Sequence, residues 1–587
     1  MVELVEVTDP GLAYMCLGGF VVAFSMISLF AREKLYLNEV ILGTAFGVLM
    51  GPHVAGVFDP RSWTKEVDAV TLEVMRVVLA TGLFAIGVEL PRSYMAKHAK
   101  SLLVMIVPTM AIGWIIVGGL IKALFPALNF ISCLAIASCL TPTDPIICAA
   151  IVGGKFARMH VPLNLRQLIS AESAANDGLA YPFLTFAIYL TIDKSSKEGI
   201  GHWILIGVLY QVILGVFIGA ILGYLFSKLM KFSHQKGLID RESYVAQYLA
   251  LAIFVAGLVS TIGSDDLLAA FAAGNAISWD GDFNTYTEGE LFASVIDLVL
   301  NCACFIYIGA WLPFESFNTP ELGITPWRLS VLCVGILILR RIPALLVLYK
   351  WIPEIRNWKE ALFTGHFGPM GVGAVFVSTL AVHKLPAPHN PPESQQDLLA
   401  LVLQPMVTFV VLGSIIIHGL SIPFFNMGRK MKSRTPTVVG LINTLSLRVP
   451  TTPEWLTQVR RFNPLDIKLG PTREVNLSEA LETPLPINHG IEIQVAGADG
   501  VPIMPPVIGG DGSNFGTVRS ERTVTGVSDT GKEVEKTAIS INASHGVMDI
   551  EEIPNEGATT TGAKLPRSRQ GSAMLQPTRT VESRVSE

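Results

Sequence analysis

From Gly11 to Asn426 the chain is a succession of apolar runs separated by short polar loops, and this pattern restricts the fold more than any other feature. A chain inside a bilayer must satisfy its own backbone hydrogen bonds, so runs of this length are read as helices. They fall at 11–30, 36–58, 67–90, 101–125, 129–153, 164–192, 200–226, 243–262, 264–278, 288–313, 327–350, 359–383 and 398–426. The expectation is an all-α polytopic membrane protein with about 13 transmembrane helices. Charged residues, 16% of the chain, concentrate between the runs and after residue 428. The small net charge of -5 and the absence of a basic patch interleaved with aromatics give no reason to expect a nucleic-acid partner. All seven cysteines fall inside apolar runs without metal-type spacing, which makes them packing residues and not a disulfide framework.

Loop charges orient the chain. Residues 1–10 carry Glu3, Glu6 and Asp9 but no Lys or Arg, whereas Arg32 and Lys34 follow the first run, so a retained first helix with an extracellular N-terminus is expected. Arg92, Lys97 and Lys100, then Lys155, Arg158 and Arg166, then Lys228, Lys231, Lys236 and Arg241 mark alternate loops as cytoplasmic. Lys350, Arg356 and Lys359 mark another, and Arg429, Lys430, Lys432 and Arg434 put the C-terminus inside. Parity then requires the short run 264–278 to be a true crossing, although the following loop, 279–287, carries only Asp280 and Asp282. Residues 431–587 turn polar and read as a mostly disordered cytoplasmic tail. Within it, Val438 to Val449 reads either as an interfacial helix or as an apolar linker.

Six runs, one run and six runs suggest two inverted six-helix repeats around a linker helix. Helix breakers recur at matching places. The fifth run contains Thr141-Pro142-Thr143-Asp144-Pro145, and the twelfth contains four glycines and a proline between Gly365 and Gly373. Unwound backbone at membrane depth is tolerated only where it is buried or lines a wet cavity, so broken, crossed helices at a midplane site are expected.

The sixth run holds Ser170-Ala171-Glu172-Ser173-Ala174-Ala175-Asn176-Asp177-Gly178. An ionised residue at mid-membrane costs roughly 2.5 to 3.5 kcal/mol even on the lenient scale. On a helix Glu172 stacks over Asn176 and Ser173 over Asp177. A carboxylate withdrawn from water must be neutralised by a proton or by a cation, and one group cannot take both at once. Asp177 is therefore the expected ion and proton carrier, with the Ser173 hydroxyl and Thr143 as further oxygen donors. Asp144 reads equally as a cap for the broken helix. Glu172 needs a cation, and of the adjacent Arg340 and Arg341 in the eleventh run, Arg341 is the expected partner. Glu89 closes the third run. Asp265 and Asp266 open the ninth, either as an N-cap pair or as carboxylates that attract cations. Asp297 with Asn301, and His366, are weaker polar candidates.

Together, Thr143-Asp144-Pro145 in a broken helix, Glu172-Ser173 before Asn176-Asp177, and the Gly-rich break resemble the monovalent cation/proton antiporters of the first family, the Na+/H+ exchanger group, over residues 11–430. The wording from His366 to Ala374, the Ser264-Asp265-Asp266 element and the basic then polar tail resemble its fungal plasma-membrane subgroup. The resemblance implies a homodimer with a dimerisation domain (11–90 and 243–313), an ion-transporting core (101–192 and 327–426) moving like an elevator, and a linker helix (200–226). It implies Asp177 as carrier, with Ser173, Thr143 and Glu89 near a bound Na+. It further implies Asn176 and Asp144 organising the crossed helices, Glu172 paired to the span-eleven arginine, and Asp265 and Asp266 taking part in transport. No cofactor beyond the transported Na+ or Li+ and H+ is implied, and the tail would be regulatory, a place for regulatory proteins to bind. Two other classes are a cation channel, which would need a ring of carbonyls or charges around a pore, and an intramembrane aspartyl hydrolase, for which the Gly-x-Gly-Asp pattern is missing.

Overall fold

The computed structural model describes residues 7–193, 195–281, 283, 292–432, 521–523, 538–544 and 547–553. Every apolar run coincides with a helix or with two in succession. The first three are α1 (Asp9–Phe30), α2 (Glu39–Met50) and α3 (Val67–Glu89). The fourth is α4 (Ala99–Ile106) with α5 (Pro108–Leu124), the fifth α6 (Phe130–Leu140) with α7 (Pro145–Val152), and the sixth α8 (Leu163–Gly178) with α9 (Ala180–Ile192). A π-helical stretch, Trp203–Ile213, leads into α10 (Leu214–Gln235), followed by α11 (Arg241–Thr261), α12 (Asp266–Ile277) and α13 (Phe292–Trp311). The last are α14 (Pro326–Leu339) with α15 (Ile342–Leu348), α16 (Trp358–His366) with α17 (Val372–Lys384), and α18 (Gln395–Lys432).

The starts are written in the sequence. Asn38, Asn129, Asp240 and Asn357 each cap a helix by accepting a first-turn N–H, and Pro108, Pro145 and Pro326 occupy first positions, where proline loses no hydrogen bond.

Length separates these helices into two kinds. Among the described residues seven spans are long and apolar enough to cross a membrane on those grounds alone, or eight if α6 and α7, bent by 41°, count as one. The expected thirteen crossings exceed what helix length supports. The clearest difference is α12, whose 12 residues rise about 18 Å against a hydrocarbon core of about 30 Å. It packs against α3, α10, α11 and α8 and is buried almost throughout, in keeping with a sequence that is apolar on most sides.

The contact between α10 and α12 is made of small residues. A methyl group on Gly219 would meet the Ala269 carbonyl oxygen at 2.2 Å, and one on Gly223 would meet that of Ala273 at 2.3 Å. In a membrane, where lipid is as apolar as leucine, such backbone approach supplies the packing that holds helices together.

Outside the spans, Glu354 takes hydrogen bonds from Ser101 and His98. Burial pushes its carboxyl up, but these two groups more than reverse the effect and hold it below the usual range. In the tail the described residues form one antiparallel sheet, β1 (Glu521–Thr523), β2 (Ala538–Ser544) and β3 (Val547–Ile553), with Ile541 opposite Ile550. It is an exception to the expected disorder; Val438 to Val449 and most of the 279–287 loop lie outside the described residues. All seven cysteines are buried and free, as packing residues would be.

Replacing Gly219 with Val is expected to force α10 from α12 at a cost of roughly 1 to 3 kcal/mol, read as a lower thermal midpoint of the purified protein. An unchanged midpoint would mean that the seam does not carry the packing.

Candidate functional site

The site is built where two broken spans meet beside α8. Both breaks expose helix ends, with carbonyls at the ends of α6 and α16 and N–H groups at the starts of α7 and α17. Asp144 serves both starts: Oδ1 accepts from Ile147 N at 2.7 Å and Oδ2 from Val372 N at 2.5 Å. Its own N–H reaches the Pro369 carbonyl at 2.7 Å, joining the two breaks directly. Of the two readings of Asp144, the cap describes its position. Arg340 serves the opposite ends. Its Nη1 donates to the carbonyls of Leu140, Thr141 and Pro142 at 2.7, 3.0 and 2.9 Å, and its Nη2 to that of Gly368. An anion at two helix starts and a cation at two helix ends match the dipoles of all four half-helices.

Arg341 pairs with Glu172 in a fork, Nη1 to Oε1 at 2.7 Å and Nη2 to Oε2 at 2.8 Å, and its Nε also donates to the Thr364 carbonyl. Glu172 Oε1 further accepts from Asn176 Nδ2 at 2.5 Å. Asn176 then exchanges hydrogen bonds with Thr143, whose N–H reaches Asn176 Oδ1 at 3.0 Å. A continuous polar chain thus runs from α15 through α8 into the first break and touches α16 on the way.

Asp177 stands apart. It is 2% exposed, and neither carboxylate oxygen has a hydrogen-bond partner. Gly373 approaches so closely that a methyl group there would sit 1.9 Å from Asp177 Oδ1, and one on Gly371 would sit 2.6 Å from Asp144 Oδ2. The glycines of the second break are therefore needed to make room for the two carboxylates.

Asp177 opens on a cavity of about 180 Å³ whose wall includes Arg76, Gln211, Asp265, Asp266 and Lys384. Asp265 and Asp266 line this cavity together with Asp177. Glu89 ends α3 and does not line this cavity, and neither do Ser173 and Thr143. Ser173 Oγ donates to the Ser170 carbonyl at 3.0 Å, and Thr143 is engaged by Asn176. His366 meets Ser421 at 3.0 Å, on the far side of the second break.

Sequence reading missed Arg76, which binds Asp266 and donates to Ser260 at 2.5 Å. It also missed Gln211 and Lys384. Arg76 carried a usable signal, since an ionised residue inside run 67–90 is the same anomaly that singled out Arg340 and Arg341. Gln211, a neutral amide in an apolar run, carried almost none.

A family model described as the transmembrane sodium/hydrogen exchanger matches residues 20–428. A probable Na+/H+ antiporter of Schizosaccharomyces pombe is 44% identical over 479 residues, covering 79% of this chain and 61% of its own length. A Na+/H+ antiporter of Saccharomyces cerevisiae is 43% identical over 447 residues, covering 74% and 45%. A second S. pombe Na+/H+ antiporter is 38% identical over 437 residues, covering 73% and 92%. The chain thus spans between about half and two thirds of the first two relatives. Among solved structures, the sodium proton antiporter MjNhaP1 of Methanocaldococcus jannaschii at pH 8 aligns over 70% of this chain and 98% of its own with a TM-score of 0.53 and 18% identity, a likeness of fold.

Arg341→Met is expected to strand the Glu172 charge at a cost of roughly 3 to 5 kcal/mol. The readout is a lowered thermal midpoint, with partial recovery when Glu172→Gln is added. A midpoint unaffected by the single change would show that the pair is not the strut it looks like. Gly373→Ala should displace the Asp177 carboxylate and reduce transport far more than it reduces stability.

Proposed function

Since the chain belongs to the sodium/hydrogen exchanger family, we propose that this multi-pass membrane protein is a secondary active antiporter that exchanges cytosolic Na+ or Li+, with K+ as a further candidate, for H+. The observation that carries the reading is Asp177, a fully buried carboxylate with both oxygens free, open to a cavity and held against bare glycine backbone. Every other buried acid of the crossed-helix region is already satisfied: Glu172 by Arg341 and Asn176, Asp144 by two helix starts. Of these three acids, Asp177 is the one left to take a cation or a proton. Because one carboxylate cannot carry both, each passage across the membrane moves one or the other, and opposed fluxes follow from competition. Ser173 and Thr143 supply further oxygens once the ion is bound and the site tightens around it. Glu172, Arg341, Asn176, Asp144 and Arg340 act as the frame.

Matched breaks around one carboxylate favour alternating access over a channel, which would need a ring of ligands along an open pore. An intramembrane aspartyl hydrolase would call for a Gly-x-Gly-Asp pattern, which the sequence lacks. The plasma membrane as location, with the N-terminus outside and the C-terminus in the cytoplasm as the loop charges suggest, belongs to the same proposal. A homodimer, with 11–90 and 243–313 as the dimerisation domain and 101–192 with 327–426 as the moving core, is part of the same proposal.

The test is Na+ flux driven by an imposed pH gradient in vesicles containing the purified full chain. Asp177→Asn is expected to abolish exchange, and normal exchange in that variant would refute the mechanism. In the wild type the Na+ concentration for half-maximal flux should rise as the pH falls, because protons then displace the cation. A value independent of pH would rule out competition at one carboxylate.

A further inference from the structure

The cavity beside Asp177 contains more unsatisfied oxygen than that carboxylate accounts for. Gln211, on the π-helical stretch before α10, is 5% exposed, and its Nε2 donates to the Tyr181 hydroxyl at 2.7 Å. That bond fixes the amide and leaves Oε1 as its other end, buried and accepting no hydrogen bond. Asp265 is equally buried. Its Oδ1 caps α12 by accepting from Leu268 N at 2.9 Å, and its Oδ2 has no donor. The two residues are neighbours through the backbone: Asp265 N–H points at the Gln211 carbonyl at 3.4 Å, and Ser264 Oγ donates to the same carbonyl at 3.0 Å.

The acidic pair is therefore divided. Asp266 is neutralised by Arg76, which also lies over the Phe376 ring at 5.7 Å. The other cation of the wall, Lys384, lies over the Tyr181 ring at 5.2 Å. Asp265 is left with one committed oxygen and one open one. A buried acceptor without a donor is unfavourable, the more so when it is charged, and a small cation relieves two such acceptors together, since hard cations take oxygen ligands.

We propose that Gln211 Oε1 and Asp265 Oδ2 form a second cation site, a vestibular station at which a partly dehydrated monovalent cation waits before it reaches Asp177. The inference rests on the reading of Asp177 as the carrier and adds to it. Asp265 supplies the charge and Gln211 a neutral oxygen. Tyr181 holds the amide in place, and Arg76 withdraws Asp266 so that the station carries a single negative charge. One charge and one amide suit an ion that must leave again, whereas two free carboxylates would hold it. Gln211 belongs to the run read as the linker helix, so the station ties that helix to the ion's path.

The test uses the full chain in lipid nanodiscs at pH 8 and measures radioactive Na+ bound at equilibrium. In Asp177→Asn the carrier site is gone, and a weaker, saturable Na+ binding is expected to remain. Adding Gln211→Leu or Asp265→Asn should weaken that residual binding at least tenfold, whereas Gln211→Glu, which keeps an oxygen at the same place, should preserve or strengthen it. If Gln211→Leu does not fold, Gln211→Asn, which withdraws the oxygen by one methylene, is expected to give the same loss. No saturable binding in a folded Asp177→Asn protein would overturn the station, and would point instead to a proton on Asp265 donated to Gln211. Residual binding that ignores the residue at 211 would overturn it as well. Failure of the carrier reading is distinguishable, because exchange would then persist in Asp177→Asn whatever that variant binds.

Discussion

Four helix ends meet in the middle of this protein, and two side chains of opposite charge make that possible. A break in a membrane helix frees N–H and carbonyl groups that water would otherwise satisfy. Here Asp144 collects N–H groups from both second halves, and Arg340 collects carbonyls from both first halves. Each charge is stabilised by the dipoles it neutralises, so neither needs a simple ion-pair partner. The rest of the site depends on this pair, because the second break brings glycine backbone against Asp177.

The helix that carries Asp177 divides its polar residues between two tasks. Glu172 and Asn176 join the chain of hydrogen bonds from Arg341 to Thr143 and so position α8 against three broken or bent spans. Asp177, one residue further along, has no such partner. A buried ion pair does not by itself stabilise a fold, but losing one member of it is costly, so the pair sets register more than it adds strength. Under the proposed function, register is what the Asp177 carboxylate needs, since its readiness for an ion depends on what it does not touch.

Much of this arrangement was legible in the sequence, and the legible part has a common cause. Apolar runs, helix caps, prolines and glycines in mid-span, and charges in apolar surroundings are local signals, and each violates or satisfies a rule that holds within one segment. The need of Glu172 for a cation, the oddity of two arginines in an apolar run and the membership of Asp177 in a buried helix came from such signals. What could not be read was which segments meet. Arg340 and Arg341 are adjacent, yet one grips carbonyls some 200 residues away and the other a carboxylate. Asp265 and Asp266 are adjacent too, and among the described residues Asp266 is the one paired with a cation, an arginine on α3. The run at 264–278, expected as a crossing from loop parity, is a helix of 12 residues packed among α3, α8, α10 and α11. The tail sheet carried no pattern strong enough to stand out from its polar composition.

The seam between α10 and α12 bears on how the molecule can deform. Where Gly219 and Gly223 meet Ala269 and Ala273, backbone lies on backbone, with no side chain that could rotate to accommodate a shift. Such a surface behaves as a weld. The contact of Arg76 with Phe376 is of another kind, a flexible cation resting on the face of a ring, and it tolerates lateral slip at little cost. Motion of α17 past α3 and α12 would therefore run along the surface with long side chains, while α10 and α12 travel or stay as one body.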